Sequence, residues 1–289
     1  MNTLLVQAIK KAGQTRAKLK LNMFSPVNIF DACASLDISV RFIDVSMEGM
    51  YINKGIEAAS KGILISSLRP MPRRVYTCAH ELGHHIFGHG SKIDGLTEEG
   101  ASASVYDKDE YLVDAFAGAF LMPIAGIEAE FMKRKWDIQN ASPIQFYTIS
   151  CIFGTGYSTL ITHCKANRLI SESKVRVLLK QTPAKLLQHI MSTRIENSHF
   201  KIIDSKTVLS VIDVEVGNYL FLPLNIDIEG THLLKLITTD YGECFRVEHP
   251  GVVRALCLET DTSYFIRIQP AGYIGLAENR HLEDKVECL

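Results

Sequence analysis

Residues 78–90 read CAHELGHHIFGHG and place four histidines and one glutamate within thirteen positions. His80 and His84 are four residues apart, so on an α-helix their side chains project from one face, about one turn apart. Two imidazoles placed in this way can bind one zinc ion at about 2.0–2.1 Å each. The segment therefore predicts a metal site on a helix.

Glu81 directly follows the first of these histidines and is expected to project beside the metal rather than onto it. There it can take a proton from zinc-bound water and pass it to a leaving amine, as the glutamate does in the HExxH motif of zinc peptidases. A motif this short also arises by chance. The apolar residues on the opposite face of the same helix favour the functional interpretation, because they would bury the helix and hold the motif in place.

A catalytic zinc site has three protein ligands and one open position. The next predicted helix, 109–123, offers Glu110 and Asp114, which are four residues apart and face the same direction. We expect Glu110 to bind the metal and Asp114 to accept a hydrogen bond from the free ring nitrogen of a ligand histidine. Asp107 and Asp109 are rival ligands, although acids before or at a helix start are also favoured as caps.

The other histidines and the cysteine of this segment are not predicted to bind the metal. His85 points away from the expected metal face and is a candidate for a contact with substrate. His89 lies just past the helix end, where it could polarise a substrate carbonyl or, as a cation, favour the helix dipole. Cys78 lies on another face of the helix from His80 and is predicted to be a core thiol.

The bulk composition limits the class of protein. Of the 289 residues, 47% are hydrophobic and 22% charged, and the formal net charge is −1, so no global attraction to nucleic acid or anionic membrane is expected. The N-terminal apolar stretch is too short for a secretion signal, and no apolar run is long enough to span a membrane. The seven cysteines are scattered, without a CxxC pair, as in reduced cytoplasmic proteins. We predict a cytoplasmic protein.

The pattern along the chain predicts an α+β fold in three parts: 1–140, a helical extension at 141–195, and a β-rich C-terminal domain at 196–289. The β-rich part is expected to have its own core, so that a fragment ending near residue 195 should stay folded. Strands are predicted at 38–45 and 61–68, and a helix from Arg74 to the glycines at 88 and 90. Within KGILISSL (61–68), Ile63, Leu64 and Ile65 are expected to form the edge strand on which an extended substrate pairs.

A family resemblance is carried by RRVYTCAHELGHHIFGH, by the acid pair that follows, and by FAGAFLMP. Together these motifs, within about residues 25–170, resemble the ImmA/IrrE family of zinc metallopeptidases. The resemblance implies a zincin-like core with gluzincin-like ligands. His80 and His84 match the ligand histidines, Glu81 matches the catalytic glutamate, and Glu110 falls at the first acidic position of the second helix. Leu112 stands where many members have another glutamate.

The resemblance implies a function as well as a fold. Members are Zn²⁺-dependent cytoplasmic endopeptidases that cleave a helix-turn-helix transcriptional repressor encoded nearby. Cleavage switches on a stress, mobile-element or phage-defence response. The C-terminal region is then expected to sense a signal, either a nucleic acid or a small molecule, and no membrane partner is expected.

Residues 144–171 look like a helix-turn-helix, two helices separated by a glycine-containing turn. The second of these helices, 157–167, carries Lys165 as its one lysine, whereas DNA-binding helices usually bring more cations to the phosphates. Packing beside the peptidase core, or recognition of the repressor, is therefore favoured over DNA binding.

Two other interpretations remain open. The chain could be a DNA-binding transcriptional regulator with a structural zinc site and a vestigial peptidase domain, although it retains Glu81, which a structural site does not need. It could also be a general peptide-degrading metallopeptidase, for which the extra helical and β-rich regions would be unusually elaborate.

Overall fold

A computed structural model of the chain describes residues 3–53, 61–90, 107–193, 195 and 199–282, and the backbone of 92–94. The protein is mixed α+β, with several small sheets. It divides into two compact units. Unit 1 is Met1–Ala129 with Ile274–Glu278, and unit 2 is Glu130–Tyr273 with Asn279–Leu289.

The first elements in chain order lie in unit 1. The last of them, a helix, crosses from unit 1 into unit 2 after Ala129. They are α1 (Thr3–Lys18), α2 (Ile29–Ala34), β1 (Ile38–Ile43), β2 (Gly49–Ile52), β3 (Lys61–Ser66), α3 (Met71–Phe87), β4 (Lys92–Asp94), α4 (Lys108–Leu121) and α5 (Ile124–Lys133).

The later elements build unit 2, except for the last strand, which belongs to unit 1. They are α6 (Pro143–Ile152), α7 (Tyr157–Ala166), α8 (Glu172–Leu178), α9 (Pro183–Met191), β5 (Phe200–Ile202), β6 (Val211–Glu215), β7 (Tyr219–Leu222), β8 (Ile226–Ile228), β9 (Leu233–Thr239), β10 (Gly242–Val247), β11 (Gly251–Cys257), β12 (Thr262–Gln269) and β13 (Gly275–Leu276).

The sheet of unit 1 has the order β13-β1-β3-β2-β4. β3 is parallel to β1 and antiparallel to β2, so both of its edges are already hydrogen-bonded. The prediction that Ile63, Leu64 and Ile65 form an edge strand for substrate is therefore wrong. β2 (GMYI), which was not predicted from the sequence, covers this edge. Ile63 and Ile65 are fully buried, as expected for a strand in the middle of a sheet.

α3 carries the HExxH motif and begins three residues before the predicted start. Pro72 lies in its first turn, where the missing N–H costs nothing. Gly88 ends the helix in the left-handed conformation at φ 74°, and its N–H donates to the carbonyls of His84 and His85. The predicted end of the helix at this glycine is confirmed.

α3 and α4 pack closely because of a glycine inside the motif. A Cβ on Gly83 would lie 2.9 Å from the Cβ of Val113 and 3.3 Å from a ring carbon of Phe116. Both partners are fully buried in α4. Only a residue without a side chain allows this approach, which brings the first turn of α4 beside the histidines of α3.

α4 and α5 together form a long, strongly apolar stretch of the chain. The stretch Lys108–Lys133 is long and apolar enough to cross a membrane by length and composition alone, but 67% of its most apolar window is buried inside the protein. It is also interrupted at Pro123, between α4 and α5. These features are those of core helices in a folded domain.

Unit 2 joins helices and strands that the sequence analysis had placed in separate domains. The ring of Tyr147 on α6 stacks on Phe200 of β5, with centroids 4.1 Å apart, and its hydroxyl donates to the Phe200 carbonyl. The buried Arg134 side chain pairs with Asp204 at 2.7 Å. Residues 274–278, expected in the β-rich domain, lie instead in unit 1, because β13 pairs with β1.

The two strand groups of unit 2 form four-stranded sheets, with orders β5-β7-β10-β9 and β6-β12-β11-β8. Their inward side chains share one apolar core, which includes Ile212, Leu220 and Ile266. The β-rich composition beyond residue 199 is thus reflected in the fold, as alternating burial along β11 illustrates.

The predicted helix pair of residues 144–171 is present as α6 and α7. Ser142 and Gln145 form a capping box at the start of α6, and Gly154, at φ 66°, makes the turn that follows this helix. Tyr157 and Leu160 bury one side of α7. That this pair serves packing or recognition of the repressor rather than DNA binding stays a prediction.

Candidate metal centre and active site

The two histidines of α3 and the first glutamate of α4 meet at one point. The Nε2 atoms of His80 and His84 are 3.2 Å apart. Glu110 Oε2 lies 3.2 Å from His80 Nε2 and 3.7 Å from His84 Nε2. Within the described residues, this is the group of histidine and acidic side chains whose ligand atoms could hold a metal ion.

These separations fit a metal ion. Two ligand atoms 2.0–2.1 Å from a tetrahedral zinc ion lie about 3.3–3.4 Å from each other, and the three observed distances bracket that value. The donor set of two imidazole nitrogens and one carboxylate oxygen is also one that zinc accepts. All three atoms are hydrogen-bond acceptors when the histidines are neutral and protonated on Nδ1, so a cation among them would relieve their mutual repulsion.

His80 is held from its other ring nitrogen by α4. Its Nδ1 lies 2.9 Å from Asp114 Oδ1, as expected for a donor N–H and a carboxylate acceptor. The hydroxyl of Tyr76 donates to the carbonyl oxygen of Asp114 at 3.2 Å and lies 3.4 Å from Oδ1. Burial and the Asp114 charge together raise the pKa of Tyr76, so this hydroxyl keeps its proton and remains a donor.

His84 is held in a parallel way, but by another histidine. Its Nδ1 lies 3.2 Å from Nδ1 of His89, whose Nε2 in turn lies 3.7 Å from Asp109 Oδ1. If His84 donates its Nδ1 proton to His89, its Nε2 lone pair faces Glu110. The structure thus places His89 against a candidate ligand, and Asp109 behind His89.

The rival acids of α4 have other positions. Asp107 is the N-cap, and its side chain accepts from the backbone N–H groups of Asp109 at 2.8 Å and Glu110 at 3.4 Å. Capping of this kind explains why acids cluster at the helix start. Glu110 is the acid of this turn whose carboxylate reaches both histidines.

Glu81 lies on the sheet side of α3 and is fully buried. A Cβ on Gly49 of β2 would come within 3.0 Å of Glu81 Oε1 and 2.5 Å of the Thr77 methyl group. The backbone of β2 therefore passes directly over the Glu81 carboxylate, and only glycine leaves room for it. This contact between a strand and a motif residue was not foreseen from the sequence.

His85 is directed toward β2 and away from the cluster. Its Nδ1 lies 2.7 Å from the hydroxyl of Tyr51. Burial, followed by the positive charges of Lys61 and Lys18, lowers the pKa of His85, so its ring favours the neutral form. A substrate role for His85 or His89 stays a prediction.

Two residues of the site were missed in the sequence, and one of them left a signal. Tyr76 precedes His80 by four residues, so it lies on the same face of α3 and could have been expected near Asp114. Tyr51 left no such signal, because β2 (GMYI) has only four residues and its sequence does not alternate between apolar and polar residues.

A comparison with protein families identifies the domain that carries this centre. Residues 33–160 match the IrrE N-terminal-like domain, a peptidase domain. The match spans α3 and α4 and thus every residue of the cluster. A search of curated proteins gives no match to the chain. Residues 33–160 are thus similar to the IrrE N-terminal-like domain, in agreement with the resemblance to the ImmA/IrrE metallopeptidases.

Proposed function

We propose that the protein is a zinc-dependent, site-specific endopeptidase that cleaves a helix-turn-helix transcriptional repressor in the cytoplasm and so derepresses a stress, mobile-element or phage-defence response. The observation that carries the peptidase activity is the meeting of His80 and His84 of α3 with Glu110 of α4, where α3 also bears the buried Glu81. The repressor as substrate is supported by the resemblance of residues 33–160 to the IrrE N-terminal-like domain.

The cluster is better suited to catalysis than to a structural role. Structural zinc sites are closed by four protein ligands, whereas catalytic sites keep one position open. Among the described residues, three side chains form the group, and the Glu110 side chain is 34% exposed, so the site is accessible from solvent. A zincin-like arrangement, with the two motif helices beside a mixed sheet, is consistent with this function.

Each side chain has a distinct role in the proposed hydrolysis. His80, His84 and Glu110 would hold the ion, with Asp114 and His89 keeping the two imidazole rings in orientation. When bound, zinc supplies Lewis acidity toward a water molecule and toward the substrate carbonyl. Glu81 accepts the proton of the attacking water on its carboxylate. It then delivers that proton to the amine nitrogen as the peptide C–N bond breaks.

The other parts of the chain are assigned roles in recognition and control. We propose that α6 and α7 have a structural role and recognise the repressor, and that they do not bind DNA. Lys165, the lysine of α7, already pairs with Glu172 at 2.9 Å, which leaves it poorly placed for a phosphate. The β-rich part of unit 2 is proposed to receive the activating signal, a nucleic acid or a small molecule.

The deciding experiment is Glu81→Gln, tested on a helix-turn-helix repressor encoded beside this protein. Glutamine keeps the shape of the side chain but cannot accept the proton, so cleavage should fall about 10²–10⁴-fold. Mass spectrometry of the fragments measures cleavage, and elemental analysis measures zinc. Zinc content and melting temperature should stay at the level of the unmodified protein, because the three ligands are untouched.

Glu128→Gln is the matched control, since Glu128 is an exposed glutamate on α5, outside the cluster. It should cleave normally. Cleavage at the normal rate by Glu81→Gln would show that Glu81 is not the base. Loss of zinc from Glu81→Gln would show instead that Glu81 supports the metal site.

A further inference from the structure

The first helix carries an unusual excess of positive charge. Its residues Thr3–Lys18 read TLLVQAIKKAGQTRAK, with four basic residues and no acidic one. The single arginine is not available at the surface: Arg16 is fully buried and donates to the backbone carbonyls of Phe120, Asn22 and Ser25. The exposed charge of α1 is therefore carried by lysines.

Part of this charge lines a cavity beside the metal-binding helix. The cavity has a volume of ≈ 190 Å³ and lies between one face of α1 and the last turn of α3. Its lining residues are Gln7, Lys10, Lys11, Gln14, Ile86 and Phe87. The four residues from α1 follow the i, i+3, i+4, i+7 spacing of a single helix face. Amide and ammonium donors thus surround an apolar floor.

The lysines of this region have no acidic partner in the part of the chain that the structure describes. No carboxylate lies within ion-pair distance of Lys10, Lys11, Lys18 or Lys61 there. Lys18 follows Gln7 by eleven residues and Gln14 by four, so it lies on the same face of α1 as the residues that line the cavity.

The cavity is close to the candidate active site along the chain of α3. Ile86 and Phe87 follow His84 by two and three residues, which is about 3–5 Å along the helix axis and about 200–300° around a helix of about 10–12 Å diameter. A polypeptide bound at the metal centre would need only a few further residues to reach the cavity, at about 3.3 Å per extended residue.

We infer that this basic face, defined as Gln7, Lys10, Lys11, Gln14 and Lys18, binds an acidic segment of the polypeptide substrate, a few residues from the bond that is cleaved. The inference rests on the proposed peptidase function. Carboxylates accept hydrogen bonds from both ammonium and amide groups, so glutamate or aspartate side chains match the lining. Lys10 and Lys18 are about 12 Å apart along the helix, the span of about four extended residues.

A nucleic acid fits this surface less well. Proteins that bind single strands combine cations with aromatic side chains on which bases stack, and arginine is the usual partner of phosphate. The basic face offers lysines and glutamines, and Arg16, the arginine of α1, is buried and donates to backbone carbonyls. An acidic polypeptide is thus the occupant that the lining favours.

The test measures binding without cleavage, so that it is independent of the proposed activity. Full-length, zinc-loaded Glu81→Gln protein is titrated against a fluorescein-labelled peptide of alternating glutamate and glycine, and against a single-stranded DNA 20-mer, by fluorescence anisotropy. Adding Lys10→Glu and Lys11→Glu should weaken binding of the peptide about tenfold or more at low salt. The matched control, Lys133→Glu with Lys180→Glu, reverses the charge of two exposed lysines outside the basic face. It should change the affinity for the peptide less than twofold.

Several outcomes would overturn the inference: no binding of the acidic peptide, equal loss in the control, or binding of the DNA alone. Should the charge-reversed variant fail to fold by circular dichroism, Lys10→Gln with Lys11→Gln keeps two good helix formers and gives the same comparison. If Glu81 proves dispensable for cleavage while the peptide still binds at the basic face, the proposed mechanism fails and the surface assignment stands.

Discussion

Gly83 sets the distance between the two helices that share the candidate metal centre, and its replacement by alanine tests this directly. The added Cβ would lie 2.9 Å from the Val113 Cβ, whereas carbon atoms in contact normally lie about 3.5–4.0 Å apart. α4 must therefore move away from α3 by about 0.6–1.1 Å. Glu110, one turn before Val113, moves with it, and its carboxylate then lies too far from the two histidines.

The expected cost of Gly83→Ala has two opposing parts. Overpacking of a tight helix contact costs about 1–3 kcal/mol, while replacing a mid-helix glycine by alanine contributes about 0.8–1.0 kcal/mol in the stabilising direction. The net loss in unfolding free energy is about 0–2 kcal/mol. Zinc affinity should fall about 10–100-fold, as for other disturbances of the residues that support a metal ligand.

Gly13→Ala is the matched control, because Gly13 also lies inside a helix but has no atom within 4 Å of an added Cβ. It should stabilise the protein by about 0.4–1 kcal/mol and leave zinc binding unchanged. Urea denaturation measures stability, and competition with a chelator measures zinc affinity. If Gly83→Ala matched Gly13→Ala in both measurements, the α3–α4 contact would not control the site.

Two further predictions concern the third ligand and the integrity of the two units. Glu110→Ala should lose zinc, while Asp109→Ala should lose much less, because the Asp109 carboxylate lies near His89 rather than at the cluster; elemental analysis that gave the opposite order would reassign the ligand. A fragment ending at residue 195 should be unstable, contrary to the expectation from sequence. It lacks β13, the Phe200 ring that stacks on Tyr147, and Asp204, one of the two acidic partners of the buried Arg134. A chain ending at Leu282 is the control, and a soluble, cooperatively melting 1–195 fragment would contradict the argument.

The local parts of the candidate metal centre could be predicted from the sequence. The four-residue spacing of His80 and His84 places both rings on one face of any α-helix, and the spacing of Glu110 and Asp114 does the same on the next. The glycine that ends α3 was equally readable, because its left-handed conformation is a property of one residue. These features depend on neighbours within one or two turns, so no knowledge of the fold was needed.

Tertiary structure alone decided which distant segments meet. β3 lies in the middle of its sheet because β2, a short strand without a strong pattern, pairs with its second edge. β13 joins unit 1 from more than 200 residues further along the chain than β1. Gly49 over Glu81 and His89 against His84 likewise depend on how the chain packs. Contacts of this kind depend on the shape and burial of many residues that are distant in the chain. A sequence pattern reflects only the neighbours of each residue along the chain, so it could not predict them.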